Sequence, residues 1–422
     1  MLKGKKILNL AAAILLVTAL FTFIGLAGSM GEPASGYKEE DYYVQTEKAL
    51  EHAKVKMMDF VLSDTPGLEG WKGASINPTP LILYDLNGKK LYYEFSVEKD
   101  GKVVGRMKVG ASTVLGNSVK TFELGPRKWN GTLAVGKAKE IVQKQYPNSE
   151  IRSVQLIVYS YPKIGVMVTT YDMVSGKENT TIMDVSSYSI ISNVADITAI
   201  REGASVAWSL YDHMSIEDRK QGIEKWKKYN NAVNKTKEKL KSLGFDLNDK
   251  SLTEGMTGKL NKETVGITST SQYMLNVALY GQETDYYCAP ASGKMMADYH
   301  GLTHSQNHVA GVMGTTTSGT TNGGQLTYFT TATPNGLGKT GSSIDSSPTW
   351  DEAKAEVNNN RPLHSLIPGH TRLARGWKTE TDWWFFTTYY LFINDPWPVN
   401  SGDNYWEDWD TETHTYYIYA RN

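Results

Sequence analysis

Residues 281–301 read GQETDYYCAPASGKMMADYHG and contain Cys288, the single cysteine of the 422-residue chain. The spacing of Met295 and Tyr299 predicts a helix that begins near Cys288. Aligned backbone dipoles at a helix N-terminus stabilise an anion, so a thiol placed there ionises more readily to a thiolate. Gln282 comes before Cys288 and can fold back toward it as an amide donor. A small, buried and unreactive cysteine is the alternative interpretation.

The composition is that of an ordinary globular protein rich in aromatic rings. Charged residues make up 21% of the chain, aromatic residues make up 11%, and the formal net charge is −1. Because no excess of positive charge is present, we expect no nucleic-acid partner. The chain is long enough for two or three domains, each with its own core.

The first 30 residues have the pattern of an export signal. Lys3, Lys5 and Lys6 precede a long apolar run. The run is long enough to span a bilayer, so residues 1–30 are interpreted as a signal peptide or as an N-terminal membrane anchor. In both cases we expect the body of the protein to be extracellular or in the cell envelope. Residues 31–45, rich in Gly, Pro and Ser, are predicted to form a tether.

Residues 46–198 repeat one order of predicted elements. A helical pattern over residues 46–62 is followed by alternating strands with a turn at Asp100-Gly101, which is a strong hairpin signal. A second helical pattern, over residues 134–146, is again followed by strands. The stretch is therefore predicted to be a tandem helix-plus-antiparallel-sheet module of the α+β class.

This order of elements resembles the PepSY-like and cystatin-like modules that serve as propeptides or inhibitory domains in secreted peptidases. On that resemblance, residues 46–198 form a prodomain-like module that keeps an enzyme latent or docks it. A plain envelope or binding module is the alternative, because a fold does not fix a function.

Residues 199–271 are predicted to form a helical connector and a linker. Ser215 followed by Asp218 gives a variant of the capping box at the start of a charged helix, which stops near Gly244. Its mixed charges indicate a solvated face. Residues 248–271 are rich in Thr and Ser, so we expect a linker there in which the chain cleaves itself.

Three segments of residues 272–422 stand in an order that suits catalysis. Gln282 and Cys288 precede the predicted helix. The stretch RPLHSLIPGHTRLARGWK predicts two strands around a turn, with His370 opening the second strand. The stretch WWFFTTYYLFINDPWP predicts a strand that ends at Asp395. Together these segments resemble papain-like cysteine peptidases, in particular the compact branch that includes the bacteriocin-leader peptidases.

The resemblance implies a papain-like domain over residues 272–422, with an N-terminal catalytic helix packed on an antiparallel sheet. It implies a catalytic triad of Cys288, His370 and Asp395. It also implies an oxyanion hole formed by the Gln282 amide and the Cys288 backbone N–H. Asp395 stands where the papain subfamily has Asn, as in the compact branch.

The chemistry of these residue types supports the same assignment. A thiolate attacks an acyl carbon, an imidazolium protonates the leaving amine, and a carboxylate on the other ring nitrogen fixes the tautomer. Each oxyanion donor is worth about 3 kcal/mol in serine peptidases. Asn394 is an open alternative to Asp395 as third member. Neighbouring strand residues point to opposite faces, so only one of the two can face His370.

Five other histidines lie in the same half of the chain. His300, His304 and His308 recur every four residues, which invites a metal-site interpretation. A helix through them would cross Gly301, and no Cys, Asp or Glu completes the set, so we predict neither a metal nor a cofactor. The other two histidines are assigned structural roles: His364 and His414.

Two further features lie near the expected cleft. The Thr- and Gly-rich run from Met313 to Phe329 is predicted to be a surface loop beside it. Four tryptophans either line substrate subsites or pack in the core: Trp377, Trp383, Trp384 and Trp397.

The sequence as a whole predicts an exported cysteine peptidase that acts on protein or peptide substrates. Its only membrane contact would be through residues 1–30, if they are not cleaved. One alternative keeps the triad and changes the acyl acceptor, as in transglutaminases or amidases of cell-wall peptides. A second alternative is a non-catalytic binding protein on the cell surface.

Overall fold

The computed structural model describes residues 39–191, 193–194, 203, 206–247, 266–382 and 386–422. The predicted export segment, the first part of the tether and most of the predicted linker lie outside these ranges. Within the ranges, each helix is too short or too polar to cross a lipid bilayer. Residues 39–422 belong to one compact unit.

The N-terminal half consists of two helices that are each followed by strands, and this is the predicted order. The α+β class is confirmed. The elements are α1 (Thr46–Leu62), β1 (Ser75–Ile76), β2 (Leu81–Asp85), β3 (Lys90–Lys99), β4 (Lys102–Gly110), β5 (Val119–Leu124), α2 (Gly131–Gln145), β6 (Ser149–Ser160), β7 (Lys163–Asp172), β8 (Glu178–Asp184) and β9 (Ile190–Ile191).

Local sequence explains the boundaries of these elements. β3 and β4 are joined by two residues, Asp100 and Gly101, whose φ angles are 51° and 73°. Two positive φ values in a two-residue loop match the right-handed twist of paired strands, and Asp-Gly is a preferred pair for such a turn. α2 begins earlier than predicted because the side chain of Asn130 accepts a hydrogen bond from the Leu133 N–H and caps the helix.

The connector contains a long helix, as predicted. Its elements are β10 (Asn193–Val194), β11 (Val206–Ala207), α3 (Leu210–His213) and α4 (Ile216–Ser242). Ser215 and Asp218 form the expected capping box at the start of α4. α4 is not solvated on all sides, because it packs against α1 and buries Tyr229 and Val233 in the same core.

The C-terminal half has its helices near its start and its strands toward its end. The elements are β12 (Ile267–Met274), α5 (Cys288–Tyr299), α6 (Gln306–Met313), α7 (Asn322–Thr330), β13 (Ser343–Asp345), α8 (Trp350–Asn358), β14 (Leu363–Ile367), β15 (His370–Asp382), β16 (Thr387–Asp395), β17 (Asp403–Asp408) and β18 (Tyr416–Tyr419).

Two segments of this half differ from expectation. β12 pairs antiparallel with β15 and covers residues 267–271, the end of the predicted linker. α7 occupies much of the stretch predicted as a surface loop. Thr321 caps it, and Gln325, Tyr328 and Phe329 are buried at helical spacing. The Thr- and Gly-rich composition hid this apolar periodicity.

Sixteen of the described strands form one continuous, mostly antiparallel sheet that crosses from one half of the chain to the other, and β10 and β11 pair in a separate two-stranded sheet. The main path of the large sheet runs β13-β18-β14-β15-β16-β17-β5-β4-β3-β2-β6-β7-β8-β9. The halves meet where β17 pairs with β5, with Trp406 opposite Phe122. Phe60 of α1 packs against Tyr390 of β16, with ring centroids 4.8 Å apart. Backbone pairing and a shared core therefore join the two halves.

Buried charges reinforce this junction. Arg106 of β4 pairs with Asp403 of β17 and, at 3.0 Å, with Glu123 of β5. The ammonium of Lys56 in α1 lies 2.9 Å from a carboxylate oxygen of Glu380 in β15. Removing one partner of a buried ion pair leaves an uncompensated charge, which is strongly destabilising. A cut in the linker alone would therefore leave the two halves associated.

Candidate active site

Cys288 is the first residue of α5, which is where the sequence predicts the helix to begin. Pro290 falls in the first turn, where a missing N–H removes no intrahelical hydrogen bond. α5 packs against α6 and β15. The Cys288 Sγ accepts a hydrogen bond from the Thr371 N–H, with a nitrogen–sulfur distance of 3.5 Å. The thiol therefore lies beside the start of β15.

His370 opens β15, directly after the turn at Pro368-Gly369. Its Nε2 lies 2.7 Å from the Asp395 Oδ1. An ionised carboxylate only accepts hydrogen bonds, so Nε2 carries the hydrogen. The other ring nitrogen, Nδ1, is buried and has no hydrogen-bond partner within the described residues. In the neutral ring this nitrogen holds the lone pair that can take a proton.

Asp395 ends β16 and is held by three donors. Its Oδ1 accepts from His370 and also from the Trp397 N–H at 2.9 Å. Its Oδ2 accepts from the Tyr405 hydroxyl at 2.8 Å. These contacts fix the carboxylate plane, and the carboxylate in turn orients the imidazole. Nothing in the local sequence around Tyr405 indicates its part, because the contact depends on how β16 pairs with β17.

Asn394 points away from His370. Its Oδ1 accepts from the Arg375 Nε at 2.8 Å, and its Nδ2 donates to the Val277 carbonyl at 3.2 Å. Because neighbouring residues of a strand point to opposite faces, only one of Asn394 and Asp395 can contact the His370 ring, and that residue is Asp395.

Burial and neighbouring charges shift the pKa values of His370 and Asp395 in opposite directions. Burial lowers the pKa of His370, and the neighbouring Asp395 carboxylate offsets part of that shift. Burial raises the pKa of Asp395, but the charges of His370 and Arg372 and the hydrogen bond from His370 outweigh it. The pKa of Asp395 therefore lies below its usual range. Asp395 is ionised at neutral pH and available to stabilise an imidazolium.

Gln282 is tied to the turn that leads into α5. Its Nε2 donates to the Thr284 carbonyl at 2.8 Å, and the same carbonyl accepts from the Tyr287 N–H at 3.3 Å. Its backbone N–H donates to the Pro396 carbonyl at 2.8 Å. An amide carries two hydrogens, so one remains beyond the bond to Thr284. The loop after Asp395 and the start of α5 together position this amide.

The side chain of Gln306 brackets the Gln282 loop. Its Nε2 donates to the Gly281 carbonyl at 2.7 Å, and its Oε1 accepts from the Glu283 N–H at 2.9 Å. Both contacts flank Gln282, so Gln306 fixes the backbone from which the predicted oxyanion donor projects. No local pattern in the sequence marks Gln306 for this role.

The N-terminal half also contacts the loops beside the candidate triad. The ammonium of Lys163, the first residue of β7, donates to the Gly369 carbonyl at 3.5 Å. Asp184 of β8 accepts from the Trp397 Nε1 at 3.1 Å. These contacts hold the segments immediately before His370 and after Asp395. They join parts of the chain about 200 residues apart, so no local pattern could have revealed them.

The competing histidines have other partners. His304 bonds to the Tyr328 hydroxyl at 2.8 Å and to the Pro334 carbonyl at 2.7 Å, and His308 bonds to the Asn335 carbonyl at 2.9 Å. No group of three or more His, Cys, Asp or Glu side chains suited to a metal ion occurs in the part of the chain that the structure describes.

The remaining histidines and tryptophans are mostly buried. His364 Nδ1 bonds to the Gln325 Oε1 at 2.7 Å, and His414 stacks on Trp409. Trp377 donates to Asn358 and packs against Trp350. Trp397 is buried beside the triad, and the other two tryptophans named above lie outside the described residues.

We expect His364 to make the protein sensitive to acid. Burial lowers the pKa of His364 to about 3. In the unfolded chain a histidine has a pKa of about 6.5, so below that pH it binds a proton that the buried, neutral His364 does not bind. The folded state therefore loses stability relative to the unfolded state as the pH falls below 6.5. At pH 4.5, two units below the unfolded pKa, the loss of folding stability is roughly 3 kcal/mol. The cost of His364→Gln in unfolding free energy should therefore be smaller at pH 4.5 than at pH 7 by about this amount. Urea unfolding at the two pH values measures it, and an equal cost at both would contradict the burial argument.

Comparison with known proteins bears on the C-terminal part alone. No curated protein and no solved structure matches the chain significantly. Residues 274–422 match the model of the Peptidase_C39 like family. The preceding residues lie outside that match, so the resemblance of the N-terminal half to PepSY-like or cystatin-like modules stays a prediction. The match, together with the helices and antiparallel strands of this part of the chain, supports a C39-like cysteine peptidase domain over residues 274–422.

Proposed function

We propose that the chain is an exported cysteine peptidase in which Cys288 is the nucleophile, His370 the general base and acid, and Asp395 the orienting carboxylate. One observation carries the proposal. The His370 Nε2 is bonded to Asp395 while its Nδ1 has no partner among the described residues, and the Cys288 sulfur lies against the next residue of the same strand. This arrangement places a nucleophile beside a base and the base beside an orienting carboxylate, and it is suited to acyl transfer.

The reaction follows from these positions. The Cys288 thiolate attacks the carbonyl carbon of a peptide bond, and the carbonyl electrons move to the oxygen. His370 then gives its proton to the amine nitrogen as the C–N bond breaks, which leaves a thioester on Cys288. Water attacks the thioester and passes a proton to His370. The C–S bond then breaks, which releases a carboxylic acid and restores the Cys288 thiolate beside the protonated His370.

The developing oxyanion needs donors that are already in place. The second hydrogen of the Gln282 amide and the backbone N–H of Cys288 are the two proposed donors. The contacts from Gln306 and the loop after Asp395 support this role, because they fix Gln282 before substrate arrives. Preorganised donors stabilise the transition state without the cost of reorganisation.

In this proposal the N-terminal half is a module that keeps the enzyme latent. Its contacts to Gly369 and Trp397 support a regulatory or supporting position beside the triad. Export rests on the basic and apolar pattern of residues 1–30. Fractionation of the producing cells tests export, and recovery only with the cytoplasm would contradict it.

The pH dependence of thiol alkylation tests the proposed function. An imidazolium beside Cys288 holds the sulfur as a thiolate below pH 8, whereas an ordinary thiol has a pKa of about 8.5. At pH 6, iodoacetamide should therefore alkylate Cys288 roughly 10-fold or more faster in the wild-type protein than in His370→Ala. The measurement is the mass of the Cys288 peptide over time.

A matched control uses His308→Ala, which removes a partly exposed histidine from the same half of the chain. This variant should be alkylated at the wild-type rate. Identical pH profiles for the wild-type and His370→Ala proteins would contradict a thiolate–imidazolium pair.

A further inference from the structure

The nucleophile and its base are completely covered in the intact chain. Cys288 and His370 are each 0% exposed to solvent. A peptidase must bring a substrate carbonyl into contact with its sulfur, so a fully covered thiol cannot react until something moves. The question is which part of the molecule covers it.

Gly203 lies directly at this site. Its N–H donates to the carbonyl of Gly369, the residue before His370, at 3.0 Å. A Cβ atom built on Gly203 would lie 3.2 Å from the Cys288 Sγ and 2.6 Å from the Tyr286 carbonyl oxygen. The Gly203 backbone therefore fits between the start of α5 and the turn before β15. Only a residue without a side chain fits there.

The chain is also anchored close to this point. Three residues after Gly203, β11 begins, and the Trp208 N–H donates to the Tyr159 carbonyl of β6 at 2.8 Å. The Trp208 indole donates to the Ser160 hydroxyl at 3.1 Å. A short tether keeps a binding segment at high effective concentration beside its site. Gly203 is therefore held beside the thiol by the N-terminal half.

We propose that the chain occupies its own catalytic site with Gly203, and that this contact blocks Cys288 in the intact protein. The binding site consists of the Gly369 carbonyl, which accepts the Gly203 N–H, and the Tyr286 carbonyl, which leaves no room for a side chain. Extended peptides commonly bind through such main-chain hydrogen bonds. The inference rests on the proposed function in one respect: it takes Cys288 to be the nucleophile that the contact blocks.

Two substitutions at Gly203 test the contact. Gly203→Ala adds the Cβ that would collide with Tyr286, and φ at this position is +84°, which favours glycine. Gly203→Pro removes the N–H and fixes φ near −65°. If the open state is populated at about a tenth or less in the wild-type protein, either variant should be alkylated by iodoacetamide at least about 10-fold faster.

Gly244→Ala is the matched control. Gly244 has nearly the same φ, +83°, but a Cβ there would have nothing within 4 Å. It therefore carries the same backbone strain without touching the site, and its alkylation rate should equal that of the wild type. Near-UV circular dichroism of all the variants shows that they keep native packing, because an unfolded chain would also react faster. Equal alkylation rates in the wild-type protein and both natively packed Gly203 variants would overturn the inference.

Peptide hydrolysis, measured on the same proteins, separates the two proposals. Faster alkylation of both Gly203 variants without any hydrolysis would support the self-occupied site and count against the peptidase function. Unchanged alkylation together with Cys288-dependent hydrolysis would overturn the self-occupied site and leave the peptidase function standing. An increase in both rates supports both.

Discussion

Replacing Cys288 with alanine is expected to abolish peptide hydrolysis, with a loss of roughly 10⁴-fold or more in kcat. In the proposed mechanism the Cys288 sulfur forms the covalent intermediate, so no other group in the site can replace it. Removing the nucleophile from a catalytic triad costs about as much as removing the whole triad. The assay is mass-spectrometric detection of new termini in a mixture of peptides from digested casein. The substitution is made both in the wild-type chain and in the Gly203→Ala variant, and each is compared with its parent.

The control for this substitution is Ser292→Ala, one turn further along α5. The Ser292 hydroxyl donates to the Thr371 carbonyl at 3.4 Å, so it touches the same strand without being the nucleophile. Its loss should reduce kcat by less than about 10-fold, since a neutral hydrogen bond is worth about 1 kcal/mol. If Cys288→Ala kept a tenth of the wild-type activity, Cys288 would not be the nucleophile.

Asp395→Ala is expected to lower kcat by about 10² to 10⁴-fold, by analogy with the loss of the orienting carboxylate in serine peptidases. Three donors would lose their acceptor: the His370 Nε2–H, the Trp397 N–H and the Tyr405 hydroxyl. Because Asp395 raises the pKa of His370, its removal should lower that pKa further. The alkaline limb of the pH–rate profile should then shift to lower pH.

Asn394→Ala separates this catalytic effect from a structural one. Asn394 is the neighbouring residue, but it contacts Arg375 and Val277 rather than the imidazole. We expect it to lower thermal stability while leaving the pH–rate profile unchanged. A reversed pattern, with the profile shifted only in Asn394→Ala, would assign the third position to Asn394.

The sequence was informative wherever local chemistry decides structure. The start of α5 at Cys288, the Ser215–Asp218 capping box and the Asp-Gly turn between β3 and β4 all depend on neighbouring residues. The candidate triad was implied by the resemblance to papain-like cysteine peptidases, and its members stand at element boundaries that turn and strand patterns reveal.

The sequence was uninformative wherever distant segments meet. No periodicity in β5 or β17 indicates that these strands pair and fuse the two halves into one sheet. The contacts of Lys163 with Gly369 and of Asp184 with Trp397 follow from that fusion. The position of Gly203 likewise depends on tertiary structure, because nothing in the sequence distinguishes this glycine from the other glycines among the 38 in the chain.

The fused sheet changes how latency should be understood. A module that shares a core and a backbone ladder with the C-terminal half does not separate from it easily. Latency in this proposal therefore depends on the small contact at Gly203 and not on release of the whole N-terminal half. The predicted cleavage within residues 248–271 would cut the chain between the halves without dissociating them.

If Cys288 is the nucleophile, it forms an acyl-enzyme with its substrate, and trapping of that species tests this directly. The wild-type and Gly203→Ala proteins are mixed with the 4-nitrophenyl ester of N-acetylglycine, quenched in acid within milliseconds to seconds, and digested for mass spectrometry. We expect an N-acetylglycyl group on the Cys288 peptide, and hydroxylamine should remove it, as is typical of a thioester. The group should be absent in His370→Ala at neutral pH. An acyl group on any other residue, or none on Cys288 while the ester is turned over, would show that Cys288 is not the nucleophile.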